Sequence, residues 1–197
     1  MEVKERILEK AQELYLKLGF RRVTMDDIAT ELGMSKKTIY QHFADKNALV
    51  EECSSYFLNK EKCREQEVAE QANDPIEEII MSTKMMREML GTINPVAFHD
   101  LQKYYPKAWA QYLQHKSHFL EVVKNNLLKG IEKGLYRADL DIEILSRLRI
   151  ESVDMAFNPD IFPEKKYRLL DIQLAFIDHF IRGIVTEKGL KAYEAIK

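Results

Sequence analysis

A short stretch of the chain, residues 35–43, carries several of the polar residue types that are common at nucleic-acid interfaces. Its lysines and histidine offer donors and cations for phosphates, its glutamine can bind a base edge at two atoms, and its tyrosine joins a ring to a hydroxyl. Presented by one helix in the major groove, such a set could hold the DNA backbone and distinguish bases. The side chains concerned are Ser35, Lys36, Lys37, Thr38, Tyr40, Gln41 and His42.

Histidine and cysteine are the residues of this chain best suited to catalysis or to metal binding. Their spacing favours neither an active site nor a metal site. His115 and His118 lie three residues apart, so one helix face could present both to a metal, but no further ligand has a matching spacing. Cys53 and Cys63 are too few for a disulfide framework or a zinc cluster. Phosphate-binding glycine loops and hydrolase motifs are also missing. We therefore predict no enzymatic activity, no catalytic residues, no metal site and no cofactor.

Two short helices joined by a glycine turn are predicted to position the polar stretch. Thr24, followed three residues later by Asp27, resembles a capping arrangement at the start of the first of them. That helix ends near Gly33, and Ser35 can cap the next helix, which runs to Phe43. An amphipathic helix over residues 2–18 precedes the pair. The apolar side chains expected between the two short helices are Ile28, Ala29, Leu32, Ile39 and Phe43.

The bulk composition predicts an all-α chain. The 197 residues are 46% hydrophobic and contain seven glycines and five prolines, which favours a large helical core. The formal net charge of −2 implies that any DNA contact is local to one surface. The N-terminus lacks the apolar stretch of a signal peptide, and no segment has the 18 or so uninterrupted apolar residues of a membrane span. We therefore expect a cytoplasmic protein with no membrane partner.

Glycine, proline and asparagine divide the rest of the chain into further helices. Breaks are predicted around residues 73–75, 91–95, 105–106, 130–134 and 158–163. The resulting helices should span about 46–72, 76–90, 95–104, 107–129, 141–157 and 164–186.

Over about the first quarter of the chain, the sequence resembles the TetR family of repressors. The resemblance rests on Phe20, Thr24, Ile28, Ala29, Gly33, Ser35, Tyr40, Phe43, Lys46 and Leu49 at these spacings. It implies a three-helix helix-turn-helix DNA-binding domain over residues 1–46 and a helical domain over residues 47–197 that binds an effector and dimerises. The chain would then be a sequence-specific transcriptional regulator, a repressor released from double-stranded operator DNA by a small molecule.

The same resemblance implies individual roles in DNA binding. Thr24, Tyr40, His42 and Lys46 would bind phosphates, and Lys36, Lys37 and Gln41 would contact bases. Many family members have glycine where Lys37 stands, so the assignment of Lys37 between base and phosphate stays open. Two plainer interpretations also stay open: Lys36 and Lys37 as ordinary surface residues, and Tyr40 as a side chain packed against the first helix.

The second domain carries two features that suggest sites. Aromatic side chains with polar tips suit a cavity for a partly apolar ligand, although such a set can equally be core. The predicted helices 141–157 and 164–186 are apolar on more than one face, so we expect them to meet a second subunit in a homodimer, as the resemblance implies. The predicted ligand-binding residues are Met85, Met89, Phe98, Tyr105, Trp109, Tyr112 and Phe119.

Overall fold

Helices make up almost all the regular structure of the computed structural model, which describes residues 2–91 and 93–196. The prediction of an all-α chain is confirmed: the described residues form ten helices, and their only β-pairing is an isolated bridge between Tyr136 and Val185. In chain order the helices are α1 (Val3–Leu18), α2 (Met25–Leu32), α3 (Lys36–His42), α4 (Lys46–Gln71), α5 (Pro75–Leu90), α6 (Pro95–Tyr104), α7 (Pro106–Glu132), α8 (Ile142–Met155), α9 (Leu169–Ile184) and α10 (Glu187–Ile196).

The chain divides into two compact units, and the first comprises Met1–Cys63 and Thr92–His115. The apolar stripe of α1 packs against α2 and α6, and α2 packs against α3. The helix-turn-helix side chains Ile28, Ala29, Ile39 and Phe43 are buried as predicted, and Leu32 is half-buried against the same core. Further members of this core are Ile7, Ala11, Tyr15, Phe20, Leu49, Val50 and Cys53.

Local hydrogen bonds fix both ends of α2 and the start of α3. The Thr24 side chain accepts from the Asp27 backbone N–H at 3.1 Å, and the Asp27 carboxylate accepts from the Thr24 N–H at 2.8 Å, which completes a capping box. Gly33 ends α2 with φ of 62°, a left-handed conformation that residues with a Cβ adopt reluctantly. Ser35 then caps α3 by accepting from the Thr38 N–H at 3.1 Å. The predicted caps and turn are therefore present.

Helix α6 belongs to this first unit, although it lies far along the chain from the helix-turn-helix. Its buried Asp100 accepts a hydrogen bond from the Arg21 N–H at 2.9 Å, in the loop between α1 and α2. The Asn94 N–H, just before α6, donates to the Leu16 carbonyl at 2.8 Å. A Cβ placed on Gly19 would lie 2.9 Å from an Asp100 carboxylate oxygen, so this close approach requires glycine. Helix α6 thus holds the loop that leads into α2.

The second unit comprises Arg64–Gly91 and Lys116–Lys197. Helix α5 packs against α9 and α10, and α8 packs against α9. Within its core lies a buried polar cluster: Asn126 donates to the Pro75 carbonyl at 2.9 Å and to Glu78 at 3.0 Å, and accepts from the Tyr136 hydroxyl at 3.1 Å. The apolar core around it includes Ile76, Leu127, Leu135, Ile177, Ile181 and Ile184.

Two helix boundaries in the second unit differ clearly from the predictions. Helix α7 passes through Gly130 and ends at Glu132, because Gly130 packs closely under the Tyr136 ring instead of breaking the helix. Helix α9 begins at Leu169 and not at residue 164. Residues 159–161 and 164–166 form turns, and the Phe162 ring packs edge-on against Tyr167.

Helix α10 was not predicted. The chain leaves the helical conformation at Val185, and the Thr186 hydroxyl then accepts from the Gly189 N–H at 3.1 Å, which starts a new helix. A threonine followed by an acidic residue was the available sequence signal.

Candidate nucleic-acid interface

Helix α3 buries one side and exposes the other. Ile39 is fully buried and Phe43, directly after the helix, is 1% exposed. Tyr40, the residue after Ile39, is 43% exposed, so it does not pack into the core against α1. Lys36, Lys37, Gln41 and His42 are also exposed, whereas Thr38 is half-buried. The structure therefore brings most of the predicted DNA-contacting side chains together on one solvent-facing surface, which we call the α3 face.

Lys36 forms an exposed ion pair beside the α3 face. Its Nζ lies 2.9 Å from an Asp26 carboxylate oxygen and 6.0 Å from the centre of the Tyr40 ring. The hydrogen bond from Lys36 to Asp26 raises the pKa of the lysine. Exposed ion pairs contribute little to stability, so Lys36 can exchange Asp26 for another acceptor at small cost.

Two of the predicted phosphate-binding residues already have partners within the protein. The Thr24 hydroxyl donates to the Asp27 carboxylate at 2.8 Å, and hydrogen bonds from the Thr24 backbone and then from its side chain lower the pKa of Asp27. Lys46 is half-buried, donates to the Arg21 carbonyl at 3.0 Å, and has its pKa lowered by burial. Both side chains support the loop around Arg21, so a phosphate contact would compete with these bonds.

Two exposed arginines before α2 were missed by the sequence analysis. Arg21 stacks over the Tyr104 ring at 4.4 Å and donates to its hydroxyl at 3.1 Å, and Arg22 is exposed next to it. Both lie just before the N-terminus of α2, a position from which cations can reach phosphates. The adjacent pair of arginines before the Thr24 cap was the signal that could have identified them.

The predicted ligand-binding residues fall into both units. In the first, Phe98, Trp109 and Tyr112 form an aromatic cluster: the Phe98 ring lies 5.3 Å from each of the others, and Trp109 stacks on Tyr112 at 4.8 Å. Tyr105 lies against the helix-turn-helix core, 5.8 Å from the Phe20 ring, with its hydroxyl donating to the Phe20 carbonyl at 3.4 Å. Half-buried side chains in the second unit are Met85, Met89 and Phe119.

The described residues do not gather the ligands of a metal site. No three His, Cys, Asp or Glu side chains converge anywhere in residues 2–91 and 93–196. His118 lies 3.9 Å from the Glu65 carboxylate, so one of the two histidines has an acidic neighbour. Cys53 is buried, which raises the pKa of its thiol. Across the same residues, no helix combines the length and the apolar character needed to cross a bilayer.

Comparisons with known proteins agree with the geometry of the first unit. Residues 7–53 match the family model for bacterial regulatory proteins of the tetR family. The transcriptional repressor KstR2 of Mycobacterium tuberculosis (strain CDC 1551 / Oshkosh) is 26% identical over 151 residues, which cover 72% of each chain.

Two solved structures share the fold. A transcriptional regulator from Saccharomonospora viridis in complex with choline superposes with a TM-score of 0.75 at 21% identity, over 93% of this chain and 98% of its own. The regulator FadR from Bacillus subtilis in complex with stearoyl-CoA gives a TM-score of 0.68 at 17% identity, over 91% of this chain and 98% of its own. With the geometry of the first unit, these findings lead to one conclusion: residues 7–53 are a DNA-binding segment of the tetR family type, in a chain that is similar to transcriptional repressors.

Proposed function

We propose that the chain is a sequence-specific repressor that leaves its operator when a small-molecule effector binds. The observation that carries the proposal is the α3 face, where Tyr40, Gln41 and His42 are exposed while Ile39 is fully buried. An exposed helix with cationic, amide and aromatic side chains fits the major groove. Acting on chromosomal DNA places the protein in the cytoplasm, and the role requires no catalytic activity.

Each polar residue of the α3 face has a proposed contact. Gln41 and Lys36 contact base edges, since an amide can pair with both donors and acceptors in the groove and a flexible ammonium can donate to acceptors. Tyr40 and His42 bind phosphates. The Lys37 ammonium is exposed and has no hydrogen-bond acceptor among the described residues. It is therefore available to contact either a base or a phosphate.

We further propose a homodimer formed through α8 and α9. On α8, Ile144 and Leu148 are 63% and 55% exposed and lie one helical turn apart. Two large apolar side chains on one exposed helix face favour burial against a second subunit. A dimer would present two α3 faces about 34 Å apart, or a multiple of that distance, to a near-palindromic operator. Leu148→Glu should give a monomer by light scattering, whereas Arg147→Glu, on an adjacent exposed position, tests the effect of charge alone.

The effector is proposed to act on helices that hold the helix-turn-helix. Helix α6 supports the loop between α1 and α2 through Asp100, and α4 begins at Lys46, whose ammonium supports the same loop. A ligand that favours a different placement of either helix would disfavour the DNA-bound form, to the extent of its differential affinity for the two forms. We retain Phe98, Trp109 and Tyr112 of the first unit as one set of candidate effector contacts, and Met85, Met89 and Phe119 of the second unit as another, each considered by itself. The choline and stearoyl-CoA complexes differ widely in ligand size and charge, so the shared fold does not specify this chain's effector.

Selection of DNA fragments by the purified protein, followed by binding measurements on variants, tests the proposal. Gln41→Ala should weaken binding to the selected site by roughly 1–3 kcal/mol and relax one base position. Gln66→Ala, an exposed glutamine of the second unit, is the matched control and should change neither quantity. Unchanged affinity and sequence preference in Gln41→Ala would contradict the proposed base contact.

Lys37→Ala separates the two open roles of that lysine. A phosphate contact predicts weaker binding to all sequences alike and a salt dependence reduced by about one counterion, whereas a base contact predicts an altered sequence preference. If the variant behaves as the wild type in both measurements, Lys37 is an ordinary surface residue.

A further inference from the structure

Arg149 on α8 is a cation enclosed by the second unit without an acidic partner. The residue is half-buried, and its guanidinium donates to the Ser152 hydroxyl at 3.1 Å. Burial lowers the pKa of Arg149 to about 10, and no neighbouring carboxylate offsets that effect. Among the described residues, no acid forms an ion pair with this guanidinium.

Two partly buried lysines of the same unit, unlike Arg149, form ion pairs with carboxylates. Lys116, whose side chain is 16% exposed, binds Asp154 at 2.6 Å and Glu151 at 2.8 Å. Lys124, whose side chain is 17% exposed, binds Glu143 at 2.7 Å and Glu121 at 3.2 Å. Each lysine therefore has two carboxylates, whereas Arg149 has none.

A second polar group near Arg149 also lacks a partner. Gln173 on α9 is 1% exposed; its amide nitrogen donates to the Val153 carbonyl at 2.9 Å, but its Oε1 accepts no hydrogen bond. Val153 lies four residues beyond Arg149, which is about 6 Å along the axis of α8. Arg149 is bonded to Ser152, the residue before Val153, so the contacting parts of α8 and α9 carry a cation without a counter-ion and an acceptor without a donor.

Such groups are costly to bury unless something pairs with them. A cation taken out of water without a counter-ion loses solvation that hydrogen bonds to neutral groups replace only in part. Arginine has a planar fork of donors that matches the two oxygens of a carboxylate or phosphate. An anionic ligand would supply the missing counter-ion, and a donor on the same ligand would supply the missing partner of Gln173.

We propose that Arg149 anchors an anionic group, a carboxylate or a phosphate, of the effector, and that Gln173 Oε1 accepts a hydrogen bond from the same molecule. The inference rests on the proposed function in that it takes the bound molecule to be the effector. It specifies an oxyanion-bearing ligand, which neither the fold nor the candidate aromatic residues specify.

Thermal unfolding with matched probes tests the anion site directly. The probes are acetate, octanoate, phenylacetate, octyl phosphate and inorganic phosphate, and octanamide and phenylacetamide are neutral counterparts. A probe at about 100 times its Kd should raise Tm by roughly 5–10 °C, whereas its amide should not. If no anion raises Tm more than its neutral counterpart does, the proposal is wrong.

Arg149→Met removes the cation while keeping a long side chain. The unliganded variant should have a Tm at or above that of the wild type, because an uncompensated charge is gone, and it should lose the response to anions. Arg147→Met, on an exposed position of the same helix, should keep the response. A lower Tm, failure to fold, or a retained anion response in Arg149→Met would each overturn the proposal.

Arg149→Lys provides a further arm that keeps the charge. It should retain a weaker response to anions, because an ammonium replaces the guanidinium fork by a point charge. A lysine variant with no response, or with the full wild-type response, would contradict the proposed paired contact.

Operator binding is measured separately, so that the two proposals can fail independently. An anion that raises Tm through Arg149 but leaves DNA affinity unchanged would support the site and contradict its role in operator release. If the unliganded wild type does not bind operator DNA, the proposed function is contradicted. The anion site would not be affected by that result, because the Tm measurements do not involve DNA.

Discussion

The short helices α2 and α3 and the core of the second unit satisfy their polar groups over very different distances along the chain. Around the helix-turn-helix, Thr24 pairs with Asp27 and Ser35 with Thr38, each three residues apart. In the second unit, Asn126 pairs with Glu78 across 48 residues. Short-range pairs depend on local backbone geometry, whereas long-range pairs exist only once the helices have packed. The α2–α3 segment therefore takes its form from local sequence, whereas the core of the second unit depends on an interior assembled from distant segments.

Gly130→Ala should have the largest effect and tests how closely the second unit is packed. A Cβ at Gly130 would overlap the buried Tyr136 ring, whose hydroxyl belongs to the polar cluster with Asn126. Relief would require moving that ring, so we expect a loss of roughly 3 kcal/mol or more in unfolding free energy, measured by urea denaturation.

Gly183→Ala is the matched control for Gly130→Ala. It adds the same methyl group within α9, where nothing lies within 4 Å of the new Cβ, and should raise stability by about 0.5–1 kcal/mol. Equal effects of the two substitutions would show that the second unit is no more tightly packed at Gly130 than at an open helix position.

Asn126→Leu should have the next largest effect, because it removes all three hydrogen bonds at the centre of the polar cluster. Glu78 and the Tyr136 hydroxyl would stay buried without the partner they have now. We expect a loss of about 2–3 kcal/mol in unfolding free energy. Tyr136→Phe deletes a single bond of the cluster and should cost about 1 kcal/mol. A neutral Asn126→Leu would mean that long-range polar pairing contributes little to the second unit.

Thr24→Ala should have the smallest effect, about 1 kcal/mol, because it removes one cap on a short helix. The substitution also deletes the hydrogen bond from the Thr24 hydroxyl, which helps to lower the pKa of Asp27, while the hydrogen bond from the Thr24 backbone N–H remains. The Asp27 pKa should therefore rise part of the way toward its ordinary value, as followed by NMR titration of the carboxyl group.

The sign of the pH dependence follows from that lowered pKa. The Asp27 carboxylate stabilises the folded state above the pKa of the unfolded chain, and this contribution is lost as pH falls through the lower, folded-state pKa. Thr24→Ser retains the hydroxyl and should titrate as the wild type does. An unchanged Asp27 titration in Thr24→Ala would show that the side-chain bond does not stabilise the carboxylate.

Features of the fold that depend on local sequence could be predicted, and features that depend on long-range packing could not. The caps at Thr24 and Ser35 and the turn at Gly33 are local features, and the structure has α2 and α3 where the sequence predicted them. The start of α9 was misplaced because proline and charge patterns alone do not show that Phe162 packs on Tyr167. Gly130 was taken as a break because its close contact with Tyr136 exists only in the folded core.

In the candidate site, too, the sequence predicted the exposure of side chains better than it predicted their partners. Exposure of Gln41 follows from helical periodicity, since Ile39 and Phe43 occupy the opposite side, whereas the sequence left open whether Tyr40 packs against the first helix. The partner of Lys46 could not be inferred, because its ammonium reaches a backbone carbonyl of a loop 25 residues away. Arg149 was likewise invisible as a site, since its lack of a counter-ion is a property of the packed unit.

The attachment of α6 to the α1–α2 loop has a consequence for protein engineering. A chimera that transplants only residues 1–46 onto another sensor would leave behind Asp100 and Asn94, and with them the anchors of Arg21 and Leu16. Exchange of DNA specificity between relatives should therefore carry the segment around α6 along with the N-terminal helices.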